Sequence, residues 1–220
     1  MPFAGHPTLG TAHVVRSMRS SGDTVMLEMR VGTIPVYAHG DVWTLQANPP
    51  KQRSVAASRA DLAAMLVLAE ADVAPDSAAP PLWVDTGSEQ LIIPLASADA
   101  VRRAAPRGDL ILTHGHTGGR AMAYVFAPDP QRDAPDTRAF VSRFFFPKHG
   151  AVIEDPGTGS ACANLGGWLI ATGATLPQRL AIAQGDAVGR PCRLGLEVTA
   201  DRRIRVSGRV VELARGSVKL

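Results

Sequence analysis

Residues 155–161 read Asp-Pro-Gly-Thr-Gly-Ser-Ala and repeat a pattern from the front of the chain, where residues 6–12 read His-Pro-Thr-Leu-Gly-Thr-Ala. Both stretches place an ionisable residue before proline, two further residues, glycine, a hydroxyl residue and alanine. A helical pattern follows each, over Thr11–Met18 and Ser160–Ala171, and leads into alternating strand patterns. The repeat therefore predicts two similar lobes related by a pseudo-two-fold axis.

The two repeated loops are suited to binding a small anion. Proline and glycine ahead of a helix let the N–H groups of its first turn point outward, and the helix dipole favours a negative charge there. Each helix end contributes about 0.3–1 kcal/mol to an exposed anion and up to about 2 kcal/mol to a partly buried one. We therefore expect a cleft that takes a carboxylate and is lined by Gly5, Gly10, Thr11, Gly157, Thr158, Gly159 and Ser160.

His6 and Asp155 hold the same position in the two loops, so we expect them at matching edges of that cleft. An acid and a base within reach of a bound substrate can transfer protons, and both residues are catalytic candidates. Structural interpretations stay open for each. Asp155 before Pro156 is also typical of a helix cap or a turn, and His6 is one of six histidines.

Other catalytic and ligand-binding motifs were not found. His114 and His116 lack a third metal ligand at a recognisable spacing, so His114-Gly115-His116 is interpreted as a turn. Gly115–Gly119 lacks the Lys-Ser/Thr of a phosphate-binding loop and follows no βαβ pattern. The sequence contains no Gly-x-Ser-x-Gly elbow and no dinucleotide fingerprint. Cys162 falls within the second predicted helix and is interpreted as a small core residue. We expect no metal and no cofactor.

The composition is that of an ordinary globular protein, with 220 residues of which 45% are hydrophobic and 20% charged. The net charge of +3 comes from arginines interspersed with acidic residues, and aromatic residues make up only 5%, which does not favour a nucleic-acid partner. No apolar run reaches the roughly 18 residues of a membrane helix, so we expect no membrane association. The first residues do not resemble a secretion signal, and we expect a cytoplasmic protein.

Short alternating apolar runs between turn residues predict many strands and few helices. Ser58 is expected to cap a helix over residues 58–71, with Asp61 as its capping-box partner, and Ser97 to cap a short one. Ala74–Pro81 is the expected linker. The predicted strands are Thr24–Val31, Ile34–Ala38, Val42–Ala47, Leu82–Asp85, Leu91–Leu95, Leu110–Thr113, Met122–Phe126, Phe140–Phe146, Leu194–Thr199, Arg203–Val206 and Arg209–Leu213.

The chain resembles the PhzF-like phenazine-biosynthesis isomerase family in its two loops, GHPTLGTA at Gly5–Ala12 and EDPGTGSACANLG at Glu154–Gly166. Three further stretches extend the resemblance over nearly the whole chain. They are VDTGSEQLIIPL at Val84–Leu95, SRFFFP at Ser142–Pro147 and QGDAVGRPCRL at Gln184–Leu194.

The resemblance implies an α+β fold like that of diaminopimelate epimerase, with two similar lobes that are each a mostly antiparallel, β-barrel-like sheet around a central helix. We place the first lobe at residues 1–96 and the second at 97–220. The implied activity is that of a cofactor-free isomerase, a homodimer in the family, that moves a proton on a small cyclic or amino carboxylate held between the lobes. By motif position the site would be lined by Gly5, His6, Asp155, Gly159 and Ser160.

The sequence departs from the family pattern ahead of the first loop. Family members have opening strands, a helix and a glutamate resembling the main proton carrier there, whereas here Met1-Pro2-Phe3 stands directly against the loop. We therefore expect a first lobe without its opening strands, with strand edges exposed or paired with a partner. Catalysis as in the family is expected to be impaired unless His6 and Asp155 suffice or the true start of the protein lies upstream. The alternative is a non-catalytic carboxylate-binding or interaction protein of the same fold.

Two smaller departures concern the chemistry and the shape of the site. Epimerases of this fold use one cysteine from each loop, and the first loop here has none, so racemisation by two thiols is not expected. Glu89 stands where the family often has proline, which changes the expected shape of that wall.

Overall fold

The computed structural model describes residues 5–19, 22–29 and 32–217. Met1-Pro2-Phe3 and the last two residues of the predicted strand Thr24–Val31 lie outside the described residues. The helices of the described part are α1 (Gly5–Arg19), α2 (Arg59–Leu66), α3 (Ala98–Arg103), α4 (Gly108–His114) and α5 (Gly159–Ala171). Its strands are β1 (Thr24–Met29), β2 (Gly32–His39), β3 (Val42–Gln46), β4 (Lys51–Ser54), β5 (Leu82–Asp85), β6 (Gln90–Pro94), β7 (His116–Thr117), β8 (Arg120–Ala121), β9 (Ala123–Pro128), β10 (Arg138–Lys148), β11 (Ala151–Asp155), β12 (Gln178–Gln184), β13 (Cys192–Val198) and β14 (Ile204–Arg209).

One 12-stranded sheet organises the fold, in the order β1-β2-β3-β14-β13-β12-β10-β9-β6-β5-β4, with β11 paired to β10. Neighbouring strands are antiparallel except for β10 with β12 and β6 with β9. The mixed α+β class and the mostly antiparallel sheet are as predicted. The prediction that each lobe is a closed, barrel-like sheet is wrong. Strand β3 pairs with β14 and β9 pairs with β6, so the strands form one open sheet. Its end strands β1 and β4 do not pair with each other among the described strands.

The sheet runs without a break across the boundary placed between residues 96 and 97. Strand β14 joins β3 with Val206 opposite Leu45, and β9 joins β6 with Tyr124 opposite Ile92. Strand pairs that cross this boundary do not show to which lobe each strand belongs. The division into residues 1–96 and 97–220 therefore stays a prediction.

Helix α5 is buried from Gly159 through Leu169. A helix that is apolar on every side is expected to lie inside a protein. Two glycines let neighbouring strands approach it. A Cβ on Gly166 would lie 2.8 Å from Cγ2 of Ile204, and one on Gly167 would lie 2.7 Å from Cγ1 of Val84. The larger of the two apolar cores therefore forms around α5.

The second apolar core lies on the other face of β5, β6, β9 and β10, beneath α2, α3 and α4. In β9, Tyr124 and Phe126 belong to the core around α5, whereas Ala123 and Val125 belong to the second core. Alternate residues of a strand point to opposite faces, so β9 is buried on both sides. Strands β6 and β9 are thereby covered on both faces, whereas β13 and β14, which also pack against α5, are buried on one face.

The predicted helix caps are confirmed. Ser58 forms a capping box with Asp61 at the start of α2, and the Ser97 side chain caps α3. Helix α2 is shorter than predicted and ends at Leu66, because Val67 adopts a left-handed backbone with φ of 55°. In the described part of the chain, no helix has the length and hydropathy needed to span a membrane.

Two predicted strands are wrong. Leu110–Thr113 lies in α4, because so short an apolar run does not distinguish a strand from a helical turn. The predicted strand Arg209–Leu213 is only the end of β14, and residues 210–217 form no helix or strand. This segment instead passes near α1, where Glu212 lies 3.8 Å from His13. Strands β4, β11 and β12 were not predicted from the sequence.

Candidate functional site

The N-termini of α1 and α5 meet at two glycines. A Cβ on Gly5 would lie 3.0 Å from Cα of Gly159, and a Cβ on Gly159 would lie 3.2 Å from Cα of Gly5. Both distances end on backbone atoms, which cannot rotate away as a flexible side chain can. Only glycine allows so close an approach, and it brings the two repeated segments into direct contact.

The first repeated segment is helical and not a loop, which corrects the prediction. The described part of α1 starts at Gly5 and not at Thr11. Pro7 is compatible with this start, because it lies in the first turn, where a backbone N–H has no intrahelical acceptor. Gly10 and Thr11 are thereby carried about 8–9 Å along the helix axis from Gly5. Neither residue lines the two cavities described next.

His6 and Asp155 line one cavity of about 560 Å³, called the His6–Asp155 cavity below. An adjoining cavity of about 320 Å³, called the apolar cavity, shares four of its lining residues. The shared residues are His6, Gly157, Pro191 and Cys192. The apolar cavity is further lined by Gly5, Leu9, Leu45, Gly159, Arg193, Leu194, Val206, Gly208, Arg209, Val210 and Val211. A cavity of about 150 Å³ already holds benzene, so a substrate of one ring fits in this space.

Asp155 ends β11 and is held by two buried polar residues. The Thr158 hydroxyl donates to Oδ2 of Asp155 at 2.5 Å. The Gln184 amide donates to the Asp155 carbonyl at 2.8 Å and to the Thr158 hydroxyl oxygen at 3.0 Å. One residue earlier, Glu154 forms an ion pair with Arg143 at 2.7 Å, which fixes β11 against β10. The backbone and the carboxylate of Asp155 are thus both anchored.

The first turn of α5 is held by a buried polar network from the β5–β6 connection. Gln90 donates to the Ser160 hydroxyl oxygen at 3.0 Å and accepts from the Asn164 amide at 2.8 Å. The Asn164 carbonyl oxygen accepts from both the N–H and the hydroxyl of Thr86. Buried polar groups that are fully paired rigidify their surroundings. This network sets the direction in which the α5 N-terminus points.

The predicted ligand-binding residues divide into three groups. Gly5, Gly157 and Gly159 line the cavities. Thr158 and Ser160 are buried, at 7% and 4% exposure, and their hydroxyls bond to Asp155 and Gln90 instead of facing a cavity. Gly10 and Thr11, as described above, lie further along α1.

Cys192 lines both cavities and was not identified from the sequence. A Cβ on Gly157 would lie 2.6 Å from Sγ of Cys192, so glycine makes room for this thiol. Burial raises the pKa of the Cys192 thiol, and the nearby Asp155 carboxylate raises it further. The signal in the sequence was its place in the QGDAVGRPCRL stretch that carries part of the family resemblance.

Arg190 reaches the rim of the His6–Asp155 cavity through a tight turn and was also missed. Gly185 begins this turn with φ of 81°. A Cβ there would lie 2.6 Å from the carbonyl oxygen of Pro156, so only glycine lets the turn pack against the corner beside Asp155. A cation at this rim attracts an anionic substrate.

Glu89 lines neither of the two cavities. Its carboxylate forms two hydrogen bonds with Arg53, at 2.8 and 2.9 Å, and a third with the Thr117 hydroxyl. The ion pair with Arg53 lowers the pKa of Glu89. The next residue, Gln90, turns the other way and bonds to Ser160.

Within residues 5–19, 22–29 and 32–217, no group of three or more His, Cys, Asp or Glu side chains is arranged to hold a metal ion. The turn predicted at His114-Gly115-His116 falls where α4 ends and β7 begins, and the turn of the β7–β8 hairpin lies at Gly118 and Gly119. Cys162 is fully buried in the core around α5, as predicted, and burial raises the pKa of its thiol.

Comparison with known proteins identifies relatives along the whole chain. The family model described as phenazine biosynthesis-like protein, PhzC-PhzF, matches residues 1–216. An uncharacterized isomerase from Pasteurella multocida is 32% identical over 229 residues, covering 99% of this chain and 70% of that protein. The trans-2,3-dihydro-3-hydroxyanthranilate isomerase of Pseudomonas fluorescens is 30% identical over 229 residues, covering 100% of this chain and 76% of the relative.

Solved structures share the fold. A PhzF-family phenazine biosynthesis protein from Bacillus anthracis superposes with a TM-score of 0.78 at 20% identity, over 95% of this chain and 73% of that one. A predicted epimerase from Pseudomonas aeruginosa superposes with a TM-score of 0.74 at 24% identity, over 99% of this chain and 75% of that one.

Proposed function

The chain belongs to the phenazine biosynthesis-like (PhzC-PhzF) protein family, and on that premise we propose that it is an isomerase acting on a small cyclic or amino carboxylate. The substrate binds where the N-termini of α1 and α5 meet, and the reaction moves a proton within it without a cofactor. Curated relatives named as isomerases support this reaction class.

The observation that carries the proposal is the joint placement of His6 and Asp155 on one cavity, beside the contact of Gly5 with Gly159. In α5 the N–H of Cys162 bonds to the Thr158 carbonyl as the first intrahelical bond. The N–H groups of residues 159–161 therefore have no acceptor within the helix. Gly159 is the one of these residues that lines a cavity, so a carboxylate placed against it gains its N–H donor and up to about 2 kcal/mol from the helix dipole.

Asp155 and His6 have different roles in this proposal. Asp155 protonates or polarises the substrate, and His6 forms a hydrogen bond to it. A proton that leaves one carbon returns at another, so the product has the same atoms and oxidation state as the substrate. The reaction therefore consumes no oxidant and no second substrate.

Racemisation by two thiols fits the structure poorly. Cys162 is 0% exposed, and burial raises the pKa of its thiol. Cys192 lines the cavities, so at most one of these two thiols meets a bound substrate. A two-base mechanism through cysteine needs a thiol on each side.

Isotope exchange tests the proposal. The protein is incubated in D₂O with trans-2,3-dihydro-3-hydroxyanthranilate and with a panel of cyclic and amino carboxylates, and products are followed by NMR. We expect isomerisation with deuterium entering at one carbon. Asp155→Asn is expected to lower turnover by about 100-fold or more, which is the scale of lost general acid–base catalysis.

The matched control is Asp76→Asn, because Asp76 is exposed on the segment before β5 and lines neither cavity. It is expected to keep wild-type turnover. Unchanged turnover in Asp155→Asn contradicts the role of Asp155. If the wild-type protein neither converts nor binds any carboxylate of the panel, the proposed function is wrong.

Carboxylate binding without catalysis is the second candidate function. It is favoured by one observation, that Asp155 is the sole carboxylate among the described residues that line the two cavities. This function predicts binding by calorimetry with no deuterium in the recovered ligand. Isomerisation of any ligand in the panel rules it out.

The finer architecture and the assembly also belong to the proposal. Helix α1 packs against β1, β2 and β3, which supports a first lobe around it, and α5 packs against β13 and β14 of the second. Helix α5 also contacts β4, β5 and β6, which the proposed boundary assigns to the first lobe. Strands β1 and β4 each have one edge without a strand partner in the described part, which supports pairing in a homodimer. Sedimentation measures the oligomeric state, and a concentration-independent monomer contradicts the dimer. We keep the cytoplasm as the proposed location.

A further inference from the structure

The geometry at the end of β11 points to a positioning role for Thr158 and Gln184. We infer that they hold Oδ2 of Asp155 and leave Oδ1 as the oxygen that exchanges a proton with the substrate. This inference rests on the proposed function, because it assigns a purpose to contacts around Asp155.

Four hydrogen bonds join the two residues to Asp155 and to each other. The Thr158 hydroxyl donates to Oδ2 at 2.5 Å, a length typical of a hydroxyl bonded to a carboxylate. The Gln184 amide N–H₂ donates to the Thr158 hydroxyl oxygen at 3.0 Å and to the Asp155 carbonyl at 2.8 Å. In return, the Gln184 carbonyl oxygen accepts from the Thr158 N–H at 3.3 Å.

The direction of these bonds fixes where the hydroxyl proton points. A threonine hydroxyl has one proton and two lone pairs, and Gln184 already donates to that oxygen. The single proton of Thr158 is therefore free to point at Oδ2, and the chain of donors runs from Gln184 through Thr158 to Asp155. With Oδ2 engaged, the second carboxylate oxygen remains for the cavity.

Burial makes this arrangement rigid. Gln184 is 1% exposed and Thr158 is 7% exposed, whereas Asp155 lies at the cavity surface. Neither Thr158 nor Gln184 lines the His6–Asp155 cavity, so they act on the substrate only through Asp155. A catalytic group displaced by about 1 Å can lose about 100-fold in rate, so an orienting pair of this kind acts on turnover more than on binding.

Valine is nearly isosteric with threonine and lacks the hydroxyl, so Thr158→Val removes the bond to Oδ2 with little change in volume. We expect kcat to fall by about 10- to 100-fold while KM stays within about threefold. Thr158→Ser keeps the hydroxyl and is expected to restore kcat to within about threefold. Gln184→Met keeps the length of the side chain, removes the donor to Thr158 and is expected to lower kcat in the same way.

Thr172→Val is the matched control. Thr172 lies at the other end of α5, and its hydroxyl bonds only to carbonyls of that helix, those of Trp168 and Leu169. Thr172→Val removes the same hydroxyl group from the other end of the same helix. Because this hydroxyl does not contact Asp155, kcat is expected to be unchanged. An equal loss of kcat in Thr172→Val and Thr158→Val contradicts a specific role for Thr158.

Asp155→Asn, measured in parallel, separates this inference from the proposed function. If Asp155→Asn loses turnover while Thr158→Val keeps wild-type kcat, the positioning role is wrong and the proposed function stands. If Asp155→Asn keeps turnover, the proposed function itself is wrong. A folded Thr158→Ser variant that fails to recover kcat also overturns the positioning role.

A readout that does not depend on turnover is the orientation of the Asp155 carboxylate in crystals of the wild type and of Thr158→Val or, if that variant does not fold, Gln184→Met. We expect one orientation in the wild type and a rotated or divided carboxylate in the variant. The same single orientation in both proteins contradicts the inference.

Discussion

The contact between Gly5 and Gly159 gives the account its sharpest physical prediction. In Gly159→Ala the new methyl carbon lies 3.2 Å from Cα of Gly5. Carbon atoms pack best at about 3.5–4.0 Å, so the two helix ends must separate by about 0.5 Å. The neighbouring atom belongs to the backbone, so no side-chain rotation relieves the contact. Overpacking of this kind costs about 1–3 kcal/mol.

Gly10→Ala supplies the reference for this cost. A Cβ on Gly10 meets no heavy atom within 4 Å, and Gly10 lies inside α1. Alanine in the interior of a helix is more stable than glycine by about 0.5–1 kcal/mol, so this variant is expected to gain stability. The two variants make the same chemical change in a helix, and the difference between their unfolding free energies, about 1.5–4 kcal/mol, isolates the steric contact.

The free energy of unfolding, measured by urea denaturation, reports this difference directly. In a thermal melt, 1 kcal/mol corresponds to about 2–4 °C for a chain of this size. Gly159→Ala is expected to melt below Gly10→Ala and to bind anthranilate more weakly, because the donors of α5 move away from the first helix. Equal stability and equal affinity of the two variants would show that the contact between Gly5 and Gly159 does not hold the two helix ends in place.

Three further perturbations probe the surroundings of the site. Asp155→Asn removes a carboxylate that raises the pKa of the Cys192 thiol, so more thiolate is present at pH 8 and iodoacetamide should modify Cys192 faster; an unchanged rate contradicts their proximity. Asn164→Ala removes a buried side chain with four hydrogen bonds and should cost about 3 kcal/mol or more of unfolding free energy; a loss below about 1 kcal/mol contradicts the network. The ion pair with Arg53 lowers the pKa of Glu89 below its ordinary 4.5, so its contribution is present above that pH and lost as the pH falls through the lowered pKa. Glu89→Gln should therefore lower stability by up to about 1 kcal/mol at pH 7 and leave it unchanged at pH 2, and an equal loss at both values contradicts this.

The sequence predicted those parts of the fold whose causes are local. Helix α5 begins at Gly159, one residue before its predicted start, because the proline, glycine and hydroxyl pattern acts within the segment itself. The caps of α2 and α3 were predicted for the same reason. The start of α1 was predicted wrongly, since glycine and proline near Gly5 are typical of a loop. There the close contact with Gly159 comes from the tertiary structure.

The contacts around Asp155 could not be predicted from the sequence, for a related reason. Thr158 was expected to face a ligand, whereas its hydroxyl is taken by Asp155 and its N–H by Gln184, far along the chain. Ser160 likewise bonds to Gln90, which belongs to a different strand. Cys192 reaches the cavities because β13 begins beside Gly157. Contacts between residues distant in sequence decide which hydroxyls and thiols face the cavity.

The claim that a carboxylate binds where the N-termini of α1 and α5 meet is tested by an NMR titration with anthranilate. The backbone amides are assigned and followed as the carboxylate is added. The account predicts that the largest shifts fall on the amides of Gly159, Ser160 and His6, at the meeting helix ends. Benzyl alcohol, which lacks the carboxylate, should leave these amides unmoved. A separate surface groove over β12, β13 and β14 is lined by Arg179 and Arg205, and largest shifts there would contradict this claim.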